Sequence, residues 1–205
     1  EKSFDWLAKK MNYTGMVKPG RYVLKKNMSN YELIRKLRSG SEPFMVTIHD
    51  ASSVEELAGQ IGRKLEADSA NLAGVIYDKA FLDTNGLNKE TVLTFFLPNT
   101  YEFYWQTDAG EFLARMHKEY HDFWGPERMR KAKDLNLTPL EVSILASIVQ
   151  QEARHMDELP DIAGVYINRL KRGMLLQADP TVKFAVGDPS IKRVLDKHKK
   201  VESPY

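Results

Sequence analysis

Residues 138–152, TPLEVSILASIVQQE, specify a helix more completely than any other stretch of the chain. Thr138 is placed to cap the N-terminus. Pro139 takes the first helical position, where its missing N–H costs nothing, and Glu141 completes a capping box with Thr138. Leu145, Ile148 and Val149 then share one face. The next position on that face is Glu152 rather than an apolar residue. A fold built on this helix must place a carboxylate where its apolar stripe would continue.

The rest of the chain has to supply that helix with a core. Its 205 residues suffice for one large domain or two small ones. Hydrophobic content of 42% with 28% charged residues is that of a soluble globular protein. Thirty Lys and Arg against 28 Asp and Glu give a net charge of +2, too balanced to argue for a nucleic-acid partner. With no cysteine, disulfides, thiolate metal sites and a Cys nucleophile are excluded. No apolar run is long enough to span a bilayer. The chain starts at Glu1 without Met and stops in a loop-like VESPY, so both ends read as cuts.

Helical spacing appears at Phe4, Leu7, Ala8 and Met11, and again at Leu33, Ile34 and Leu37. The second helix is capped by Ser29 or Asn30 and stopped at Gly40. Between them Pro19-Gly20 signals a turn, and RYVL (21–24) reads as a strand. PFMVTI (43–48) reads as another, which predicts a strand–helix–strand unit within the first 49 residues. Ser52 with Glu55, or Ser53 with Glu56, opens a helix whose stripe is Val54, Leu57, Ala58, Ile61 and Leu65. A further helix is expected over 69–80. Residues 85–108 are rich in turns and aromatics. A helix carrying Phe112, Leu113, Met116, Tyr120 and Phe123 should end at Gly125-Pro126, and one over 158–174 stops at Gly173. LLQADPTVKFAVGDPS (175–190) reads as a loop with strand pieces, and KRVLDKHKK (192–200) as a solvated helix face.

Two readings of Glu152 stand side by side. It reaches solvent at a helix end or pairs with Arg154 or Arg169; alternatively it points into a cleft. Removing water from a carboxylate disfavours its charged form, which keeps a proton on the acid, as general-acid work requires. His117 and His121 are four apart, but His-x-Glu-x-His is not the metalloprotease order, so no metal is expected. Neither a glycine-rich phosphate loop nor a Gly-x-Ser-x-Gly nucleophile elbow occurs.

Several runs together resemble one known family. LASIVQQEA followed by DIAGVYINRLKRGMLLQADPTVKFAVGD, with FFLPNTYEFYW upstream and KPGRYVL…NYELIRKLRSG near the start, is similar to the YceG-like (MltG) family of endolytic murein transglycosylases. The resemblance implies an α+β fold: a small LysM-like module at 1–49, then a mostly helical catalytic domain with short strands at 50–205, continuing past the present C-terminus. It implies endolytic cleavage of peptidoglycan between N-acetylmuramic acid and N-acetylglucosamine, leaving 1,6-anhydromuramyl ends, with no cofactor. It implies glycan strands and cell-wall synthases as partners, and an N-terminal anchor in the inner (cytoplasmic) membrane with the domain facing the periplasm or outside. The catalytic glutamate of the family falls on Glu152. Gln150 stands where the family often carries a second acid, and IHDASS replaces the usual Pro-Glu-Gly turn.

One carboxyl group suffices for such a reaction in principle. Protonated Glu152 donates to the glycosidic oxygen, and its carboxylate then takes the proton of the muramic acid 6-hydroxyl as that oxygen attacks its own anomeric carbon. Hydrolytic glycosidases need a second carboxylate for water or for a covalent intermediate; an internal attack needs neither. Substrate-binding candidates are Asn168 and Arg169, the latter able to grip a carboxylate with two parallel bonds or to serve as a surface ion pair. Gln177, Asp179 and Thr181 offer sugar hydrogen bonds or turn chemistry. Tyr101, Glu102 and Tyr104 line a glycan groove or form strand core. The alternatives are a glycan-binding scaffold without turnover and, more distantly, a pyridoxal-phosphate lyase of the aminodeoxychorismate type, for which no lysine stands in a recognisable cofactor context.

Overall fold

The computed structural model describes residues 2–187 and 194–195. The chain divides into two compact units, Glu1–Asp122 and Phe123–Tyr205.

The first unit holds two hydrophobic cores. Helices α1 (Lys2–Lys10) and α2 (Asn30–Ser39) share the smaller one, where Ala8, Tyr13 and Ile34 are buried among Phe4, Leu7, Met11 and Leu37. Ser29 is the N-cap of α2: its side chain accepts from the Glu32 N–H, and Glu32 reaches back to the Ser29 N–H. Strand β1 (Phe44–Ile48) leads out of this region and pairs antiparallel with β2 (Asn99–Phe103). Their register buries Val46 against Tyr101 and exposes Met45 opposite Glu102 and Thr47 opposite Thr100. One face of the ribbon therefore closes the larger core, which also takes Leu57, Ile61, Leu72, Ile76, Phe95 and Phe112.

Residues 21–24 form no strand, so the strand–helix–strand unit expected in the first 49 residues is not built. The reason is pairing. The edge of β1 is taken by a segment more than fifty residues away, while Arg21 offers only its carbonyl to the Glu42 N–H at 2.9 Å. One such bond makes no ladder, and Val23 and Leu24 stay exposed. The turn before them is demanding: a Cβ on Gly20 would sit 2.3 Å from the Ser41 Cβ, and its φ is +140°.

Helix α3 (Val54–Gly62) is capped by Ser53, which accepts from the Glu56 N–H, while the Glu56 carboxylate returns to the Ser52 N–H, so the reciprocal Ser53–Glu56 box is only half built. The helix expected over 69–80 is two, α4 (Ser69–Ile76) and α5 (Lys79–Thr84), because the Asp78 side chain caps the Phe81 N–H and starts a new turn. A short 3₁₀ turn (Val92–Phe95) precedes β2, and α6 (Ala109–Phe123) follows it.

The second unit is helical: α7 (Pro126–Asp134), α8 (Pro139–Glu152), α9 (Leu159–Lys171) and α10 (Asp179–Val186). Helix α7 was not foreseen. Gly125-Pro126 ends one helix and begins another, with Gly125 as N-cap and Pro126 in the first turn. Among the described residues of 175–190, α10 stands in place of the expected strand pieces; Pro180 pre-organises it and Gly187 stops it at φ 69°. Leu145, Ile148, Val149, Tyr166, Leu176 and Ala178 make the core of this unit. The stretch read as a solvated helix face, 192–200, lies outside the described residues except for Val194 and Leu195. The α+β, mostly helical expectation holds, with the two-stranded ribbon as its sheet. Among the described residues no helix is long and apolar enough to cross a membrane.

Candidate active site

The capping box read from TPLE is present: Thr138 accepts from the Glu141 N–H, and Glu141 receives the Thr138 N–H at 2.7 Å. These bonds hold the Glu141 carboxyl below its ordinary value. The face of α8 starting from that cap buries Leu145, Ile148 and Val149. Glu152 is the last residue of α8, half-buried where that face ends, and Ala153 leaves in extended conformation.

The Glu152 carboxylate is held across the chain. Its Oε1 accepts the backbone N–H of Asp179, the first residue of α10, at 3.1 Å. Glu152 therefore stands between the negative end of α8 and the positive end of α10, which act on its charge in opposite senses.

Arg169 builds the support for this contact. Its Nη1 donates to the carbonyls of Leu175 at 3.1 Å and Leu176 at 2.6 Å, and to Gln177 Oε1 at 3.4 Å. Gln177 sits at φ 53°, a left-handed conformation that costs a non-glycine residue about 1 kcal/mol. The clamp holds the turn that brings Ala178 to the N-cap of α10 and the Asp179 N–H onto Glu152. Thr181 completes it, buried, with its hydroxyl donating to the Ala178 carbonyl at 2.7 Å. Of the candidates on this unit, Arg169 and Thr181 thus direct polar atoms to the backbone, while the Asn168, Gln177 and Asp179 side chains are exposed.

Tyr166 was read only as part of an apolar face, yet it belongs to this site. It is buried in the core of this unit, within electrostatic reach of the Glu152 carboxylate. Burial pushes its hydroxyl up, the Glu152 carboxylate pushes it further, Arg169 opposes and Asp179 adds to the rise. The four groups share one electrostatic neighbourhood, in which the Tyr166 hydroxyl keeps its proton. The available signal was a hydroxyl-bearing ring on a face otherwise filled by Ile162 and other aliphatic residues.

Tyr101, Glu102 and Tyr104 belong to the other compact unit. Tyr101 is buried, and its hydroxyl donates to the Leu97 carbonyl at 2.8 Å. Glu102 and Tyr104 are exposed. On α6, the Nε2 atoms of His117 and His121 lie 3.2 Å apart, and His117 also packs on the Phe95 ring. Burial and then the neighbouring His121 lower the affinity of His117 for a proton. No group of three or more His, Asp or Glu side chains converges as a metal site among the described residues.

Comparison with known proteins gives a consistent result. The profile of the YceG-like family matches residues 1–205. A Bacillus subtilis protein named endolytic murein transglycosylase is 28% identical over 224 residues, covering 100% of this chain and 61% of its own length. A Streptococcus pneumoniae protein of the same name is 28% identical over 217 residues, covering 90% of this chain and 38% of its own length. The chain thus spans less than two thirds of these relatives. The crystal structure of a YceG-like protein from Listeria monocytogenes superposes with a TM-score of 0.66 at 24% identity, over 99% of this chain and 72% of that one, which shows the shared fold.

Proposed function

Because the chain belongs to the YceG-like family, we propose that it is the core of an endolytic lytic transglycosylase that cleaves peptidoglycan glycan strands. The observation that carries the reading is the Glu152 carboxylate, half-buried at the end of α8 and held by the α10 backbone. The naming of the Bacillus and Streptococcus relatives supports the substrate class.

In this mechanism Glu152 works twice. It protonates the oxygen linking N-acetylmuramic acid to N-acetylglucosamine as that bond breaks. It then removes the proton from the 6-hydroxyl, whose oxygen closes on the anomeric carbon to give the 1,6-anhydro ring. Oε1 is positioned by the Asp179 N–H, so Oε2 handles the proton. The exposed side chains of Asn168, Gln177 and Asp179 are the sugar contacts of this reading, with Arg169 and Thr181 shaping the loop that carries two of them. On the first unit, Glu102 and Tyr104 are glycan-contact candidates in their own right, and Tyr101 supports their strand from the core.

The same proposal includes a LysM-like module at 1–49 ahead of a catalytic region at 50–205, an envelope location with an N-terminal anchor in the cytoplasmic membrane, and cell-wall synthases as partners. By compactness the chain divides after Asp122. Compactness and descent need not share a boundary, since β1 of the first region pairs with β2 of the second.

Digestion of purified sacculi tests the reading. The wild-type protein releases fragments with anhydro ends, and Glu152→Gln, nearly isosteric and unable to donate an acid proton, releases none above background. Equal release by both would assign the chemistry to another group. Retention on sacculi without release by either protein would make this a glycan-binding scaffold.

A further inference from the structure

Charge is unevenly distributed along the chain. Residues 1–49 carry ten Lys and Arg against four Asp and Glu, a net +6 in a protein whose total is +2, so the remainder carries −4. The same region exposes Trp6 at 62%, Val17 at 70%, Leu24 at 53% and Tyr31 at 51%.

The helices sort these residues by face. On α1, Phe4, Leu7, Ala8 and Met11 turn into the small core, leaving Lys2, Trp6, Lys9 and Lys10 on the outward side at i, i+4, i+7 and i+8. On α2, Ile34 and Leu37 turn inward, and Tyr31, Arg35 and Arg38 lie outward at i, i+4 and i+7. Each outward face thus has one aromatic ring with cations around it: the Lys10 ammonium is 5.0 Å from the Trp6 ring, and the Arg35 guanidinium 5.8 Å from the Tyr31 ring. The acids of the region do little to cancel the charge. Glu32 is committed to the α2 capping box and Glu42 to Lys36, which leaves Asp5 among the described residues.

We propose that the outward faces of α1 and α2, with the exposed loop between them, form a docking surface for an anionic phospholipid bilayer. Two properties favour this occupant over a soluble polyanion or a glycan. Indole and phenol rings flanked by Lys and Arg match the polarity gradient at headgroup depth. Exposed Val17, Val23 and Leu24 gain nothing from a polar polymer but lose water on entering the acyl boundary. The contact is peripheral, made by folded residues. It is independent of the chemistry at Glu152.

The test is co-sedimentation of the 205-residue chain with vesicles of phosphatidylcholine alone or containing phosphatidylglycerol. The chain is expected to partition onto the anionic vesicles, more weakly as salt rises, and to remain in solution with the neutral ones. Lys9→Gln and Lys10→Gln should each weaken partition about fivefold. Trp6→Ala should weaken it as well and abolish the blue shift of tryptophan emission on binding. All three side chains are exposed, so circular dichroism should be unchanged; Arg35→Gln on α2 provides a second, independent variant. No binding to anionic vesicles, equal binding to both kinds, or binding that the variants leave unaltered would overturn the proposal. So would retention on purified sacculi with no vesicle binding, which would make the surface a glycan contact.

Discussion

The bond between the Asp179 N–H and Glu152 Oε1 can be removed without deleting either helix. Asp179 is the first residue of α10, where proline is favoured, and Ala178 before it already has φ −84° and ψ 141°, a conformation proline accepts in its predecessor. Asp179→Pro therefore takes away the donor while keeping the helix start. Asp179→Ala takes away the same side chain but keeps the N–H, so the difference between the two variants isolates the bond. A hydrogen bond to a charged group contributes about 1.5–3 kcal/mol. Because Glu152 is only half-buried, we discount this to about 1–2 kcal/mol. If the bond orients the carboxyl group in the transition state, Asp179→Pro should release anhydro-ended fragments roughly five to thirty times more slowly than Asp179→Ala. The assay is initial rate on purified sacculi, with melting temperatures of both variants measured alongside. Equal rates in the two variants, with both folded, would refute the positioning role of α10. A loss in Asp179→Ala as large as in Asp179→Pro would assign the effect to the side chain.

Arg169→Gln removes the clamp on the Leu175 and Leu176 carbonyls and should lower stability by about 1–3 kcal/mol in urea denaturation; Arg169→Lys, which lacks the planar fork, should restore only part of it. Glu141 gives a pH signature. Its folded carboxyl is held low by the Thr138 backbone and hydroxyl bonds, so its contribution is complete above the ordinary value of 4.5 and disappears as pH falls through the lowered value. Glu141→Gln should be less stable than the parent at neutral pH, and the gap should close on acidification through that window; a gap independent of pH would show that the charge does not matter. Phe112→Ala empties a fully buried position of the larger core and should cost about 3–5 kcal/mol by thermal or urea denaturation.

Local chemistry was legible in the chain. Thr138, Pro139 and Glu141 announce α8 because a capping box acts over four consecutive residues and needs no distant partner. The stripes of α1, α2 and α3 were equally readable, since burial of one helix face imposes its period on the sequence. Reading failed where the deciding partner was remote. RYVL has strand composition, but β1 pairs with residues 99–103 instead. The start of α10 carries no capping signal in the sequence because its N-cap, Ala178, has no capping side chain and is held instead by the turn that Arg169 clamps.

The position of a lone carboxylate at the end of an apolar stripe, and the family it belongs to, were therefore determined by the order of residues alone. What surrounds that carboxylate was decided only in three dimensions. A backbone N–H from twenty-seven residues away reaches Glu152, Tyr166 is buried in the same unit within its electrostatic reach, and Arg169 supports a left-handed turn through the Leu175 and Leu176 carbonyls. Every residue but proline offers the same N–H in the sequence, and only packing chooses which one meets the acid.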